Sequence, residues 1–187
     1  MEHWLQRIAP RPRSVSTGER QVCYSGEDAA GVDYLDPLRV IYDHELIVYS
    51  GSDFAIEFEG RRRVACPPDS FVIIPPGHLH VERNIGSRPG HRQWCHFDWA
   101  YAPGYAQTPV ITFAPGRPDY HLCRSAPEYV PECPLNGPVP DPQATRSQLR
   151  RLIKLVGDGS ERALLEARVV LLGILVELLA DAPTQTS

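Results

Sequence analysis

Ten of the 19 prolines fall between residues 103 and 142, and that concentration divides the chain. Proline lacks a backbone N–H and fixes φ, so this stretch cannot form a central strand or a long helix. It predicts an extended connection with room for a short strand at 110–113 and a weaker one at 120–123. The hydrophobic period differs on its two sides. Residues 39–49, 54–58, 63–66, 71–74, 80–83 and 93–99 are short β-branched and aromatic runs separated by turn signals such as Ser50-Gly51-Ser52-Asp53 and Pro75-Pro76-Gly77. Strands at this spacing suggest a sandwich or barrel. After the prolines the period becomes helical. Thr145 is a fair N-cap before Leu149, Leu152, Ile153 and Val156, Gly157-Asp158-Gly159 breaks the pattern, and Ser160 caps a second, leucine-rich helix. The apolar surface of that second helix is too broad for one contact.

A chain of 187 residues is long enough for one domain with a sizeable core. Its net charge of −4 argues against nucleic-acid binding by this chain itself, because phosphate contacts need a basic patch. No apolar run reaches the ~18 residues of a membrane span, and residues 1–10 lack the apolar centre of a signal peptide. Cys23, Cys66, Cys95, Cys123 and Cys133 are scattered with no C-x-x-C pair, which predicts reduced thiols and a cytoplasmic protein.

One motif sharpens the fold. Asp69-(x)5-Pro75-x-Gly77-(x)2-His80-(x)3-Asn84 matches the second cupin motif at every fixed position except the first, where Asp69 replaces glycine. With Asp43-His44-Glu45-Leu46 running to Gly51, the turn at Gly60, and Arg92-Gln93-Trp94-Cys95-His96-Phe97-Asp98-Trp99, the chain resembles the N-terminal ligand-binding and dimerisation domain of AraC-type transcriptional regulators over residues 35–182. The resemblance implies a mainly β fold, a cupin-type double-stranded β-helix (jelly roll) followed by two C-terminal α-helices. The expected organisation is an N-terminal arm (1–35), a barrel with its proline-rich connection (36–142), a helical dimerisation segment (143–182) and a tail (183–187). Members of that family continue into helix-turn-helix units, so DNA would be contacted only through a domain absent from this chain.

In that family small molecules bind inside the barrel. If Trp94 faces in, strand alternation turns Arg92, His96 and Asp98 in and Gln93, Cys95, Phe97 and Trp99 out. A tryptophan face beside a guanidinium suits a small metabolite, a sugar or a small acid. Tyr42, His44, Leu46 and Val48 share a face of the first strand, and register against the family turns that face inward. His80 and Glu82 complete the ligand-binding set. The family's pocket arginine and tyrosine fall at Ser50 and Glu82, so neither is kept. The resemblance also places homodimerisation on the helices, where Leu164, Leu171, Leu172, Leu175, Leu178 and Leu179 are the candidate contacts. The expected function is effector sensing rather than catalysis, with no cofactor. The alternative is a stand-alone metal-dependent cupin enzyme, an isomerase or dioxygenase, whose transition metal would be held by His44, His80 and His96.

Overall fold

The computed structural model describes residues 11–12, 14–17, 20–23, 25–60, 62–99, 111–113, 116–124 and 135–180. The tail at 183–187 and most of the proline-rich connection lie outside them. The described residues form thirteen strands: β1 (Arg11–Pro12), β2 (Ser14–Thr17), β3 (Arg20–Cys23), β4 (Ser25–Ala30), β5 (Arg39–Ile41), β6 (His44–Ser50), β7 (Phe54–Phe58), β8 (Arg63–Cys66), β9 (Ser70–Ile74), β10 (His80–Asn84), β11 (Gly90–Asp98), β12 (Ile111–Phe113) and β13 (Leu135–Pro138). Helices α1 (Pro142–Asp158) and α2 (Glu161–Ala180) follow.

Two antiparallel sheets face each other as a jelly roll. One runs β1-β11-β6-β9-β13, with β4 also paired to β11, and the other runs β12-β5-β10-β7-β8. The first sheet is buried on both faces. Its inner face supplies Ile47, Tyr49, Val72 and Ile74 to the barrel core with Phe54, Ile56 and Phe58 from the second sheet. Its outer face supplies Leu46, Val48, Phe71, Ile73, Cys95 and Phe97 to a second core under the helices. Double burial explains why residues 71–74 are apolar without alternation.

Helix α1 begins one turn earlier than Thr145. Asp141 is its cap, accepting a hydrogen bond from the Ala144 N–H at 2.9 Å, with Pro142 at the first helical position; Thr145 is buried inside the helix. Ser160 does cap α2, its Oγ accepting from the Ala163 N–H at 3.3 Å. The run at 39–49 is two strands, because the chain bends at Tyr42-Asp43. Residues 120–122 form a 3-10 turn capped by Asp119 instead of a strand. The stretch at 135–138, read as part of the connection, is a strand on the edge of the first sheet, where proline is tolerated.

The face assigned to β6 is reversed. Leu46 and Val48 pack under the helices, and the His44 ring lies 5.6 Å from that of Phe97 and 6.0 Å from that of Trp99 on the same side. The inward residues of β6 are Glu45, Ile47 and Tyr49. On β11 the alternation is as the sequence suggests: Trp94 packs on the barrel core while Cys95, Phe97 and Trp99 meet the helices. The leucines proposed for dimerisation also need correction. Leu171, Leu175 and Leu178 are buried within the chain, and Leu164 and Leu179 are half-buried; of the six only Leu172 is exposed. The apolar stripe that faces away is Leu165, Val169, Leu172 and Val176.

Asp69, where the cupin motif has glycine, has a φ of 59°. This is the left-handed region, which costs an L-residue roughly 1–2 kcal/mol and which aspartate tolerates better than most. The turn is held by backbone bonds from the Asp69 N–H to the Tyr49 carbonyl and from the Val139 N–H to the Asp69 carbonyl. Gly77 is also left-handed (φ 82°), and a Cβ there would lie 2.9 Å from the Cys123 Sγ. If backbone conformation governs position 69, Asp69→Val lowers stability by about 1–2 kcal/mol in urea unfolding while Asp69→Gly is neutral or stabilising. Equal losses in both would instead assign the residue's contribution to its ion pair with Arg146.

Candidate functional site

The centre of the barrel is charged. β11 turns Arg92 inward, and its fork meets Asp28 on β4, Nε to Oδ1 at 3.0 Å and Nη2 to Oδ2 at 2.6 Å. Its Nη1 donates to Glu82 Oε2 on β10 at 2.7 Å. The guanidinium carbon lies 4.3 Å from the centroid of Tyr34 and 5.2 Å from that of Trp94. Trp94 is half-buried against β4, and a Cβ on Gly26 would come within 2.6 Å of its indole. Only glycine lets the strand approach so closely.

A second arginine extends the network. Arg39 on β5 donates through Nε to His80 Nε2 at 3.0 Å and through Nη2 to Glu45 Oε2 at 3.1 Å and Glu82 Oε2 at 3.5 Å. Its Nη1 pairs with Asp36. The His80 Nδ1 therefore carries the ring proton and donates to the His78 carbonyl at 2.8 Å. Further along β11, His96 Nδ1 lies 2.9 Å from Asp43 Oδ1 and its Nε2 lies 3.5 Å from Glu45 Oε1.

Burial and neighbours set the protonation states. Burial pushes His80 down to about 4, with Arg39 acting the same way, and His44 falls to about 4 by burial and the charge of Arg124. Burial alone would lower His96, but Asp43 and Glu45 hold it above its ordinary value. Burial would raise Glu45, but Arg39 and His96 hold it below the carboxylate range. Glu82 goes the other way: burial pushes it up to about 7 against the pull of Arg92 and Arg39. Its second oxygen, Oε1, is buried without a hydrogen-bond partner among the described residues, as is the Tyr49 hydroxyl on β6. The Cys66 thiol is pushed up to about 12 by burial and by Glu82.

Of the expected ligand residues, the structure brings Arg92, Trp94, His96, His80 and Glu82 into the barrel. It does not bring His44, which lies under the helices, and the Tyr42 hydroxyl accepts from the Asp119 N–H at 3.4 Å beside the proline-rich connection. Sequence reasoning missed Asp28, Tyr34, Asp36, Arg39, Glu45 and Tyr49. Glu45 and Tyr49 had a signal, since they alternate with Ile47; Asp28 and Asp36 carried none.

A transition metal, the group that many barrels of this type hold, does not fit these residues. The proposed histidine triad is split by the sheet. Both ring nitrogens of His80 are engaged, and both of His96 face carboxylates. The Arg39 guanidinium fills the space among His80, Asp36, Glu45 and Glu82. Among the described residues no three His, Cys, Asp or Glu side chains are grouped to hold a metal ion.

No protein-family model and no curated protein sequence matches the chain. Solved structures do, and they are cupin-fold proteins. The cupin domain of Schizosaccharomyces pombe Cnp3 is 13% identical, covering 46% of this chain and 63% of that one, with a TM-score of 0.36. A recombinant oxalate oxidase in complex with glycolate is 13% identical over 56% of this chain and 55% of that one, with a TM-score of 0.36. A dTDP sugar isomerase from Desulfovibrio desulfuricans is 13% identical over 63% of this chain and 88% of that one, with a TM-score of 0.37. The chain thus spans under two thirds of the length of the first two. The likeness is one of fold alone. The expectation that the chain lies outside the enzymes is not upheld: an oxalate oxidase, a sugar isomerase and DMSP lyases are among the similar structures. Among the described residues, no helix is long and apolar enough to cross a membrane.

Glu82 gives the site a pH signature. Its pKa is raised, so its contribution to stability is whole below its ordinary value of 4.5 and is lost as pH rises through about 7. Glu82→Gln removes that titration. Its urea midpoint, relative to the natural protein, should rise between about pH 5 and about pH 8. A difference that stays flat across that window would remove Glu82 as the titrating group.

Proposed function

We propose that this cupin domain is the effector-sensing and dimerisation part of an AraC-type regulator. One observation supports the effector site above the others. Inside the barrel, a buried carboxyl oxygen of Glu82 lacks a partner among the described residues, in a site also furnished with the Arg92 guanidinium and the aromatic faces of Tyr34 and Trp94. A buried polar atom left without a partner calls for a polar guest. Aromatic faces cover C–H surface while the charged groups orient polar atoms, which suits a small polar metabolite such as a sugar or a small acid. In such a regulator DNA is contacted by a separate helix-turn-helix domain, and the protein works in the cytoplasm. A coupling of about 1–3 kcal/mol between effector and dimer geometry is enough for control.

The exposed stripe on α2 supports the dimer. Leu165, Val169, Leu172 and Val176 repeat at four- and three-residue steps on one outward face, as in a helix–helix seam. Val169 is 69% exposed in the single chain, more than any other large apolar residue described. A second copy of α2 is the occupant this pattern fits.

Two measurements test the reading. Light scattering after size exclusion should give twice the chain mass of 20.9 kDa, and Val169→Glu should give the single-chain mass without loss of helix signal. A panel of sugars and small acids should include compounds that raise the melting temperature, and Trp94→Ala should remove that shift. A monomeric natural chain, or a shift that survives Trp94→Ala, overturns the corresponding half of the proposal.

A further inference from the structure

A cleft of about 710 Å³ runs beside β4, β11 and the first turns of α1, and its lining includes Asp28, Arg88, His91, Arg92 and Gln93. It reaches the bidentate Asp28–Arg92 pair. The two partners of that pair differ in access. The Arg92 side chain is 8% exposed, and that of Asp28 is 38% exposed. Arg88 and His91, both exposed at the cleft, form no ion pair among the described residues. The site is therefore a buried guanidinium fork with an accessible carboxylate seated on it, and beside it an exposed arginine, Arg88, and an imidazole, His91, with no ion pair among the described residues. Planar fork-to-fork pairing is how a guanidinium binds any free carboxylate.

We infer that Asp28 is an internal stand-in for a small organic carboxylate, which enters this cleft and displaces Asp28 from Arg92. The inference rests on the effector-site reading above and narrows its ligand to one class. In the bound form the ligand carboxylate takes the two donors now given to Asp28, and the Arg88 guanidinium supplies a further positive charge at the cleft. Displacement also has a route to the helices. Next to Asp28 in β4, Glu27 accepts from Gln93 Nε2 at 2.9 Å and from Arg150 Nε on α1 at 3.3 Å. Gln93 Nε2 in turn lies 3.4 Å from the Arg146 carbonyl on α1. One strand thus joins the guanidinium fork on one face to α1 on the other. Freeing Asp28 loosens β4 and with it this tie.

Calorimetric titration of the full chain with malonate tests the inference, with inorganic phosphate and a neutral sugar (glucose) as comparisons. Asp28→Asn removes the competing carboxylate and should tighten malonate by about tenfold, because the competent form is no longer masked. Arg92→Lys, which lacks the fork, should lose malonate binding. Arg88→Ala, at an exposed position that does not threaten folding, should weaken malonate about threefold to tenfold, which keeps the test open if Asp28→Asn unfolds. Malonate should also speed hydrogen exchange at the amides of 25–30. Equal malonate affinity in the natural chain and Asp28→Asn overturns the inference, as does phosphate binding Asp28→Asn more tightly than malonate. Glucose binding that depends on Trp94, with malonate indifferent to both Asp28 and Arg92, would leave the effector site standing and remove the carboxylate class. No binding of any of the three, with no melting shift across the wider panel, would remove both.

Discussion

Glu82 Oε2 receives Arg92 from one sheet and Arg39 from its own, and that junction ties the barrel's two halves together. Arg39 and Glu82 stand on the five-stranded sheet, while Arg92, Glu45 and Asp28 stand on the other. Apolar side chains would close the barrel with equal or better stability, because burying charges costs about as much as their pairing returns. What the ionic junction adds is register. A slip of one residue in β10 or β11 would strand at least one charge in the core, at several kcal/mol. The same logic makes the members interdependent. Removing one partner leaves the others buried and unpaired, typically a loss of about 3–5 kcal/mol, while removing a matched pair is far milder.

The six-stranded sheet carries this junction on one face and the helices on the other. Along β11, Arg92, Trp94 and His96 point to the barrel, and Cys95, Phe97 and Trp99 point to α1 and α2. Any shift of a β11 residue inside the barrel is felt by its neighbour in the helical core. Interiors are too closely packed to absorb it locally. An apolar layer that includes Leu149, Leu152 and Val156 of α1 and Leu171, Ile174 and Leu178 of α2 lies behind the site. The helices are thus a second wall of the barrel's sheet, in contact with it across its width.

What could be read from the sequence follows from where its pattern carries information. β11 alternates charged and apolar residues, so one anchor, Trp94, fixed the facing of its neighbours. β6 does not: Leu46, Ile47, Val48 and Tyr49 are apolar on both sides, and a period of two then says which residues share a face but not which face is inside. His44 and the metal triad built on it went wrong there. The helix leucines failed for a related reason. α2 is apolar around most of its circumference, so no stripe stands out. The clue that would have oriented it is Ala163 and Ala167, small residues one turn apart that mark the packed side. Asp28, Asp36 and Arg39 were invisible because their partners are distant in sequence and only the closed barrel brings them together.

Arg39 is ringed by acceptors. His80 Nε2, Glu45, Glu82 and Asp36 converge on its guanidinium, one imidazole and three carboxylates about a single positive group. That is a donor set of the kind a hard or borderline divalent cation takes from proteins. Here the cation is a side chain. A guanidinium is planar, bears one charge and offers hydrogens rather than an open coordination position, so it organises the carboxylates without presenting a Lewis acid to a guest. The charge deficit explains the neighbouring protonation. Two guanidinium groups, Arg39 and Arg92, face four carboxylates, Asp28, Asp36, Glu45 and Glu82, and burial leaves Glu82 as the carboxyl that holds its proton near neutral pH. The second-motif histidine is kept in this chain, but its partner is an arginine, and charge and aromatic surface line the barrel centre.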